Sequence, residues 1–136
     1  MIVPDTSAWV ELRRATQSPA HHTLRTLLET EADIATTEPV VMELLAGARS
    51  RRDLIETRGL LLALPLVRVG GLATYEHAAD IARRCRLAGS PLSHGVDTLI
   101  AAVAIREHAA VLHADRDFDV IAEHTELRIA DTVAEA

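Results

Sequence analysis

The chain has 136 residues and a formal net charge of −6, from 20 acidic side chains against 14 Lys plus Arg. Hydrophobic residues make up 49% of the chain but aromatic residues only 2%, which predicts an aliphatic core and disfavours an all-β protein with aromatic-rich strands. The acidic balance argues against a protein that coats nucleic acid through a basic surface. It is compatible with a nuclease whose carboxylates bind cations, because a bound cation reverses the local field.

Strand-like and helix-like patterns alternate along the whole chain. In chain order, short apolar runs predict strands at residues 1–4, 34–35, 66–69, 111–112 and 127–129. Apolar residues at helical spacing predict helices at residues 6–14, 20–30, from a capping Thr36 or Thr37 to about Gly47, and at 50–63, 72–88, 94–108 and 117–123. Strands separated by helices indicate an α/β fold with a central parallel sheet that helices cover on both faces.

The cysteine content, the N-terminal segment and the length of the apolar runs predict the number of domains and the cellular compartment. Cys85 is the only cysteine, which excludes an intrachain disulfide and fits a reducing cytoplasm. The N-terminus shows no basic segment followed by an apolar one. The longest apolar run, residues 60–67, falls far short of the roughly 20 residues that a membrane-spanning helix needs. We therefore expect a single domain over residues 1–136, cytoplasmic and without a membrane partner.

Two acidic residues stand at the carboxyl ends of predicted strands. Asp5 directly follows the apolar residues 1–4, and Asp115 comes shortly after the apolar run that ends at Leu112. Ligands of parallel sheets bind beyond these strand ends. The alternative for Asp5 is a helix cap, since Asp accepts hydrogen bonds from the free amides of a first helical turn.

Two further acidic residues lie on predicted helices. Glu43 stands in an apolar helical segment, where a solvated helix face is the alternative. Asp97 lies near a helix start, where the helix dipole favours a carboxylate, but its apolar neighbours would make an unpaired charge costly. Carboxylates at two strand ends and on two helices predict a divalent-metal site formed by Asp5, Glu43, Asp97 and Asp115. Without metal, the pKa values of such clustered carboxyls should rise and become coupled.

The segment 115–119 holds three carboxylates at a spacing of two residues. It resembles the start of a calcium-binding EF-hand loop, but Val120 occupies the position where the sharp turn requires glycine, and an apolar strand precedes it. We expect Asp115 to face the site, Asp117 to begin the short helix, and Asp119 to lie nearby or in solvent. Asp117 and Asp119 are therefore secondary candidates, expected as neighbours of the site rather than as ligands.

Some polar neighbours are secondary candidates, and several other chemistries find no support. The hydroxyls of Thr6 and Ser7 are placed to hydrogen-bond metal-bound water, and His113 is placed to touch substrate, with a structural role as its alternative. The sequence contains no His-Glu-x-x-His, no cysteine pair, no phosphate-cradling glycine loop with Lys, and no Gly-x-Ser-x-Gly.

Four stretches carry a resemblance to a known family, in the family's order and spacing across essentially the whole chain. The chain resembles the PIN-domain ribonucleases and, among them, the VapC toxins of bacterial toxin–antitoxin pairs. The matching stretches are Ile2-Val3-Pro4-Asp5-Thr6-Ser7-Ala8-Trp9, Glu38-Pro39-Val40-Val41-Met42-Glu43-Leu44, Val96-Asp97-Thr98-Leu99-Ile100-Ala101-Ala102 and Leu112-His113-Ala114-Asp115-Arg116-Asp117-Phe118.

The resemblance implies an α/β/α sandwich with a central parallel sheet. It assigns the four carboxylates to a pocket for Mg²⁺ or Mn²⁺, with Asp5 and Asp97 as direct metal ligands. It also implies an RNA substrate, a homodimer, and silencing by a small VapB-like antitoxin. His113 departs from the family pattern, because many relatives carry Thr or Ser there, which puts a water-positioning hydroxyl at this position in doubt.

The function that these observations predict is metal-assisted hydrolysis of RNA phosphodiester bonds. One alternative is a small-molecule phosphohydrolase, but such enzymes commonly carry a second Asp two residues after the first, where this chain has Ser7. The other alternative is a non-catalytic partner-binding module, whose carboxylates would only receive basic side chains.

Overall fold

The structure is a computed structural model that describes residues 1–93 and 95–133. The strands are β1 (Ile2–Pro4), β2 (Thr36–Thr37), β3 (Leu66–Val67), β4 (Ala110–Leu112) and β5 (Arg128–Ile129). The helices are α1 (Thr6–Arg14), α2 (Pro19–Glu29), α3 (Glu38–Ala46), α4 (Arg51–Leu62), α5 (Leu72–Leu87), α6 (Gly95–Arg106) and α7 (Arg116–His124). The predicted alternation of strands and helices is confirmed.

All strand pairings are parallel among these residues. β1 pairs with β4, β4 pairs with β5, and β2 pairs with β3. An isolated parallel bridge between Ile2 and Ile34 joins the two groups, so that the strands follow the order β3-β2-β1-β4-β5. From β1 the chain proceeds outward through β2 and β3 on one side, and it later forms β4 and β5 on the other side of β1. The strand order therefore reverses at β1. Such a reversal opens a crevice at the carboxyl ends of the strands.

Two strands differ from their predicted bounds by two residues, and the other three by one residue. The second strand was expected at residues 34–35, but Ile34 makes only the single bridge to Ile2, and Thr36–Thr37 pairs with β3. The third strand ends early because the backbone N–H of Val69 donates to Glu38 Oε1 at 2.7 Å instead of to a neighbouring strand. The predicted start of the sixth helix at residue 94 lies outside the described residues.

Side chains before the first turn explain where several helices begin. Asp5, Ser18, Ser50 and Asp115 each accept a hydrogen bond from a backbone N–H of the following turn, in α1, α2, α4 and α7. Such caps satisfy amides that have no partner within the helix. For Asp5, the cap and the functional site are therefore not exclusive, because one oxygen can serve each purpose.

Helices pack on both sides of the sheet. On one side α1 packs against α2, on the other α5 packs against α6 and α7, and α3 contacts both α1 and α6. Val3 on β1 and Val111 on β4 are fully buried between these layers. In α6, residues 100–104 are fully buried as well, so this helix is anchored in the core.

The far end of α6 also fixes the loop after β3. Arg106 donates to the carbonyl oxygen of Val69 at 2.6 Å and to Thr74 Oγ1 at 3.0 Å. Gly70 lies between these partners with φ +87°, a left-handed conformation that favours glycine. Among the described residues, no helix is both long and apolar enough to cross a membrane.

Candidate metal-binding active site

The register of the sheet brings the ends of β1 and β4 side by side. Pro4 stands opposite Leu112, and the backbone N–H of Asp5 donates to the carbonyl oxygen of Leu112 at 2.8 Å. Ser7 links the two turns that follow, since its Oγ donates to Asp5 Oδ2 at 2.6 Å and accepts from the backbone N–H of Ala114 at 2.9 Å. The turn that leads to Asp115 is therefore held directly beside Asp5.

Asp5 is buried, with 3% of its surface exposed. Its Oδ2 accepts hydrogen bonds from the N–H and the hydroxyl of Ser7, while its buried Oδ1 has no hydrogen-bond partner in the described part of the chain. Burial raises the pKa of this carboxyl, the hydrogen bonds from Ser7 oppose the rise, and the charge of Glu43 adds to it. One oxygen is thus fixed by the protein and the other is left for a ligand.

Asp97 is the third residue of α6 and is 5% exposed. Its Oδ2 is buried and makes no hydrogen bond to any residue that the structure describes. Burial is the largest cause that raises the pKa of Asp97 to about 8, and the charges of Asp5, Asp115 and Asp117 raise it further. A carboxyl in this state is costly to ionise unless a cation approaches it.

Asp115 and Asp117 lie against Asp97. One oxygen from each of these three carboxyls falls within 4.8 Å of the others. Asp115 Oδ1 accepts from the backbone N–H of Asp117 at 3.0 Å, and Asp117 Oδ2 accepts from the backbone N–H of Ser93 at 2.9 Å. Asp117 is only 4% exposed, so it belongs to the buried cluster rather than to the surface of α7.

Glu43 joins the site from α3, on the side of Asp5. It is half-buried, and its Oε1 accepts a hydrogen bond from Thr6 Oγ1 at 2.7 Å. Its charge acts on Asp5, whereas Asp97 is influenced by Asp5, Asp115 and Asp117. The carboxylates therefore form one electrostatically linked series from Glu43 through Asp5 and Asp97 to α7.

This donor set fits a hard divalent cation. Carboxylate oxygens suit Mg²⁺, Mn²⁺ and Ca²⁺, whereas zinc sites usually include His or Cys ligands. Among residues 1–93 and 95–133, the cluster around Asp97 contains only carboxylates. Two buried carboxylate oxygens, Asp5 Oδ1 and Asp97 Oδ2, have no hydrogen-bond partner among the described residues, and a bound cation would explain them. It would also offset the repulsion that keeps the pKa of Asp97 high.

Comparison with known proteins decides the family. A family model described as the PIN domain matches residues 2–124 of the chain. The chain belongs to the PIN domain family. Its relatives include Ribonuclease VapC11 of Mycobacterium tuberculosis and a VapC ribonuclease of Mycobacterium bovis, each 45% identical over 131 residues that cover 96% of this chain and 98% of the relative.

Solved structures share the fold of this PIN domain. VapBC2 from Rickettsia felis, bound to a DNA fragment from its promoter, matches with a TM-score of 0.73 and 18% identity, over 96% of this chain and 98% of that chain. VapC20 of Mycobacterium tuberculosis, described as a sarcin-ricin loop cleaving toxin, matches with a TM-score of 0.70 and 23% identity, over 94% and 99% of the two chains. The expected α/β/α sandwich with a parallel sheet is confirmed.

The secondary candidates of this PIN domain lie at different distances from the carboxylates. The hydroxyls of Thr6 and Ser7 are engaged by Glu43 and Asp5, so both orient carboxylates. His113 contacts Asp119, whose side chain is 64% exposed and stays outside the cluster. Asp117, by contrast, was expected only as a neighbour but reaches the cluster, and its partner Ser93 gave no signal in the sequence.

Proposed function

We propose that the chain is a divalent-metal-dependent endoribonuclease and the toxin of a toxin–antitoxin pair. It hydrolyses RNA phosphodiester bonds at the pocket of Asp5, Glu43, Asp97 and Asp115. The observation that carries this proposal is a pair of buried carboxylate oxygens, on Asp5 and Asp97, that have no partner in the described part of the chain, because anionic oxygens in this position suit a cation. Relatives at 45% identity that are named ribonucleases support RNA as the substrate.

Mg²⁺, or Mn²⁺ as a substitute, would be the cation, and Asp5 and Asp97 would hold it through their open oxygens. Asp115 lies beside Asp97 and completes the donor set, with Asp117 as support. A bound divalent cation supplies positive charge against the phosphate and lets water ionise more readily. Ser7 keeps the Asp5 carboxyl turned so that one oxygen stays open.

Glu43, the carboxylate outside that donor set, orients the attacking water and accepts its proton as the water oxygen forms the new bond to phosphorus. The P–O bond to the leaving ribose oxygen breaks, and that oxygen takes up a proton from solvent. Thr6 fixes the Glu43 carboxyl through a hydrogen bond of 2.7 Å, which limits its rotation during the proton transfer.

Asp97→Asn and Asp5→Ala test the assignment in an RNA cleavage assay with Mg²⁺. Both should lower the cleavage rate by at least about 100-fold, because each removes an anionic metal ligand. Asp131→Asn removes one negative charge from an exposed position after β5 and serves as the matched control. Wild-type rates in both site variants, on an RNA that the wild type cleaves, would refute the proposal.

Two measurements distinguish the alternatives. A non-catalytic binding module would show no binding of Mg²⁺ or Mn²⁺ at millimolar concentration in a calorimetric titration. A small-molecule phosphohydrolase would cleave simple phosphate esters faster than RNA. In each case Asp97→Asn shows whether the observed binding or activity depends on the carboxylate pocket.

The partner in this proposal is a VapB-like antitoxin, since structural neighbours include VapBC complexes. An apolar groove of about 250 Å³ between α1, α3 and α4 supplies a binding surface, and its apolar walls come from Trp9, Leu12, Leu44, Leu60 and Leu61. A second depression, of about 380 Å³, adjoins it and is lined by Arg13, Arg14, Arg49 and Asp53. A peptide with an apolar anchor followed by acidic side chains matches this pair of surfaces.

Leu60→Asp tests this partner surface, because Leu60 is 44% exposed and its replacement need not disturb the core. The affinity for the antitoxin encoded beside the toxin gene should fall at least about tenfold, since an ionised side chain then occupies an apolar contact. RNA cleavage should stay at the wild-type rate. Leu87→Asp, at a position on α5 that is 71% exposed, is the matched control. Equal antitoxin affinity for both variants would place the partner elsewhere.

The quaternary structure and the cellular setting complete the proposal. We take residues 1–136 as a single PIN domain that forms a homodimer in the cytoplasm. Light scattering of the purified protein, alone and with the antitoxin, measures the assembly. A monomer at micromolar concentration would argue against the homodimer and leave the nuclease assignment untouched.

A further inference from the structure

His113 occupies the end of β4 and has both ring nitrogens engaged. Its Nδ1 accepts a hydrogen bond from the backbone N–H of Asp115 at 3.1 Å, so the ring proton of the neutral imidazole lies on Nε2. Nε2–H then donates to Asp119 Oδ1, also at 3.1 Å. The side chain is 9% exposed, and its ring lies against Phe118 with 5.3 Å between the ring centroids.

These contacts hold the turn that carries Asp115. The backbone N–H of Ala114 is bound by Ser7 Oγ, and the next N–H, of Asp115, is bound by His113. Asp115 then caps α7 by accepting from the N–H of Asp117. The backbone of the turn that places the Asp115 carboxyl near Asp97 is therefore held by two acceptors, of which one is the imidazole.

We propose that His113 is a positioning residue that aims the Asp115 carboxyl into the metal pocket. It acts through Nδ1 as a hydrogen-bond acceptor for the backbone, while Asp119 selects the tautomer that leaves Nδ1 free to accept. The imidazole itself does not touch the substrate. This inference rests on the proposed function, since it concerns the geometry of the same carboxylate pocket.

Three substitutions distinguish the loss of the hydrogen-bond acceptor Nδ1 from the loss of the ring that packs against Phe118. His113→Phe keeps an aromatic ring against Phe118 but has no acceptor, and His113→Ala removes both. His113→Asn loses the ring but keeps an acceptor, because its Oδ1 stands at the same number of bonds from Cβ as Nδ1 and readily accepts from the N–H two residues further on. His108→Asn, at an exposed turn before β4, is the matched control.

The experiment measures Mn²⁺ affinity by calorimetry and RNA cleavage as separate kcat and KM values. His113→Phe and His113→Ala should each weaken Mn²⁺ binding about tenfold and lower kcat with little change in KM, as for other losses of groups that orient metal ligands. His113→Asn should recover most of both values. An Asn variant that behaves like the Ala variant, or a Phe variant that behaves like the wild type, would overturn the positioning role.

A measurement without RNA keeps this inference separate from the nuclease assignment. The ¹⁵N chemical shifts of the wild-type imidazole should show the Nε2–H tautomer at pH 7.5, and the Nδ1–H tautomer would overturn the inference. A wild type that binds Mn²⁺ but cleaves no RNA refutes the nuclease proposal while the Mn²⁺ affinities still test His113. A wild-type protein that binds no Mn²⁺ would overturn both the nuclease proposal and the positioning role of His113.

Discussion

Replacing Asp97 by Asn removes one buried titratable group from the carboxylate pocket and leaves the shape of the side chain unchanged. Without metal, burial and then the charges of Asp5, Asp115 and Asp117 raise the pKa of Asp97 from its ordinary value of 3.8 to about 8. Between pH 4 and pH 8 the folded chain therefore keeps a proton on Asp97 that the unfolded chain has lost. Stability is fully present below the unfolded pKa and falls as the pH rises toward the folded pKa, by at most about 1.4 kcal/mol per pH unit.

The size of the effect follows from that slope. From pH 5 to pH 7 the ceiling is roughly 2.7 kcal/mol, and sharing of the proton among the coupled carboxyls lowers the expected loss to about 2 kcal/mol. Asn at position 97 does not titrate, so the variant lacks this loss of folding stability. Only the smaller pH dependence that comes from the raised pKa of Asp5 remains. The metal-free variant should therefore gain about 2 kcal/mol on the wild type over this interval.

Urea unfolding in EDTA at pH 5, 6 and 7 measures the difference, with the fluorescence of Trp9, which is 4% exposed, as the probe. Adding Mg²⁺ at 100 times its dissociation constant should stabilise the wild type by about 2.7 kcal/mol and the variant much less. Parallel stability curves for the two proteins between pH 5 and pH 7 would refute the reasoning, because they would show that Asp97 ionises normally in the fold.

Three further changes test the supports of the pocket. Ser7→Ala should lower the free energy of unfolding by about 1–3 kcal/mol and weaken Mg²⁺ binding, since the Asp5 carboxyl and the backbone N–H of Ala114 each lose a partner. Urea unfolding measures the stability and calorimetry the Mg²⁺ affinity. An unchanged Mg²⁺ affinity would contradict this role of Ser7. Thr6→Val should lower kcat several-fold while Mg²⁺ affinity stays close to wild type, because only the hydrogen bond to Glu43 is lost; a kcat equal to the wild type would argue against Glu43 as the water-orienting group. Arg106→Met should cost about 2–3 kcal/mol of stability because the Val69 carbonyl and the Thr74 hydroxyl lose their donor. Cleavage per folded molecule should be unchanged, and a reduced rate would show that the loop after β3 reaches the site.

The sequence located the carboxylates for reasons that the fold explains. Asp5 and Asp115 follow strands, and parallel strands in register bring their carboxyl ends together, as the pairing of Pro4 with Leu112 shows. Asp97 could be expected in a buried position because apolar residues surround it on α6. Periodicity and strand ends are local features, and a local pattern suffices to find them.

Other parts of the site depend on contacts that no local pattern records. Asp117 reaches the cluster because a loop residue, Ser93, binds its carboxyl from 24 positions away. The unequal use of the two oxygens of Asp5 depends on the rotamer that Ser7 imposes. The second strand lies at Thr36–Thr37 rather than at the predicted residues 34–35, because strand pairing with β3, rather than hydrophobicity, sets its position.

The hydrogen bond between Ser7 and Ala114 joins positions separated by 107 residues. Contacts over such distances form late in folding, after the intervening chain has been made and its closure entropy has been overcome. On the ribosome, a nascent chain that ends just before β4 holds Asp5, Glu43 and Asp97 without Asp115 or the turn that orients it. The pocket therefore assembles only near the end of synthesis, so the partial translation products of this gene carry an incomplete carboxylate pocket.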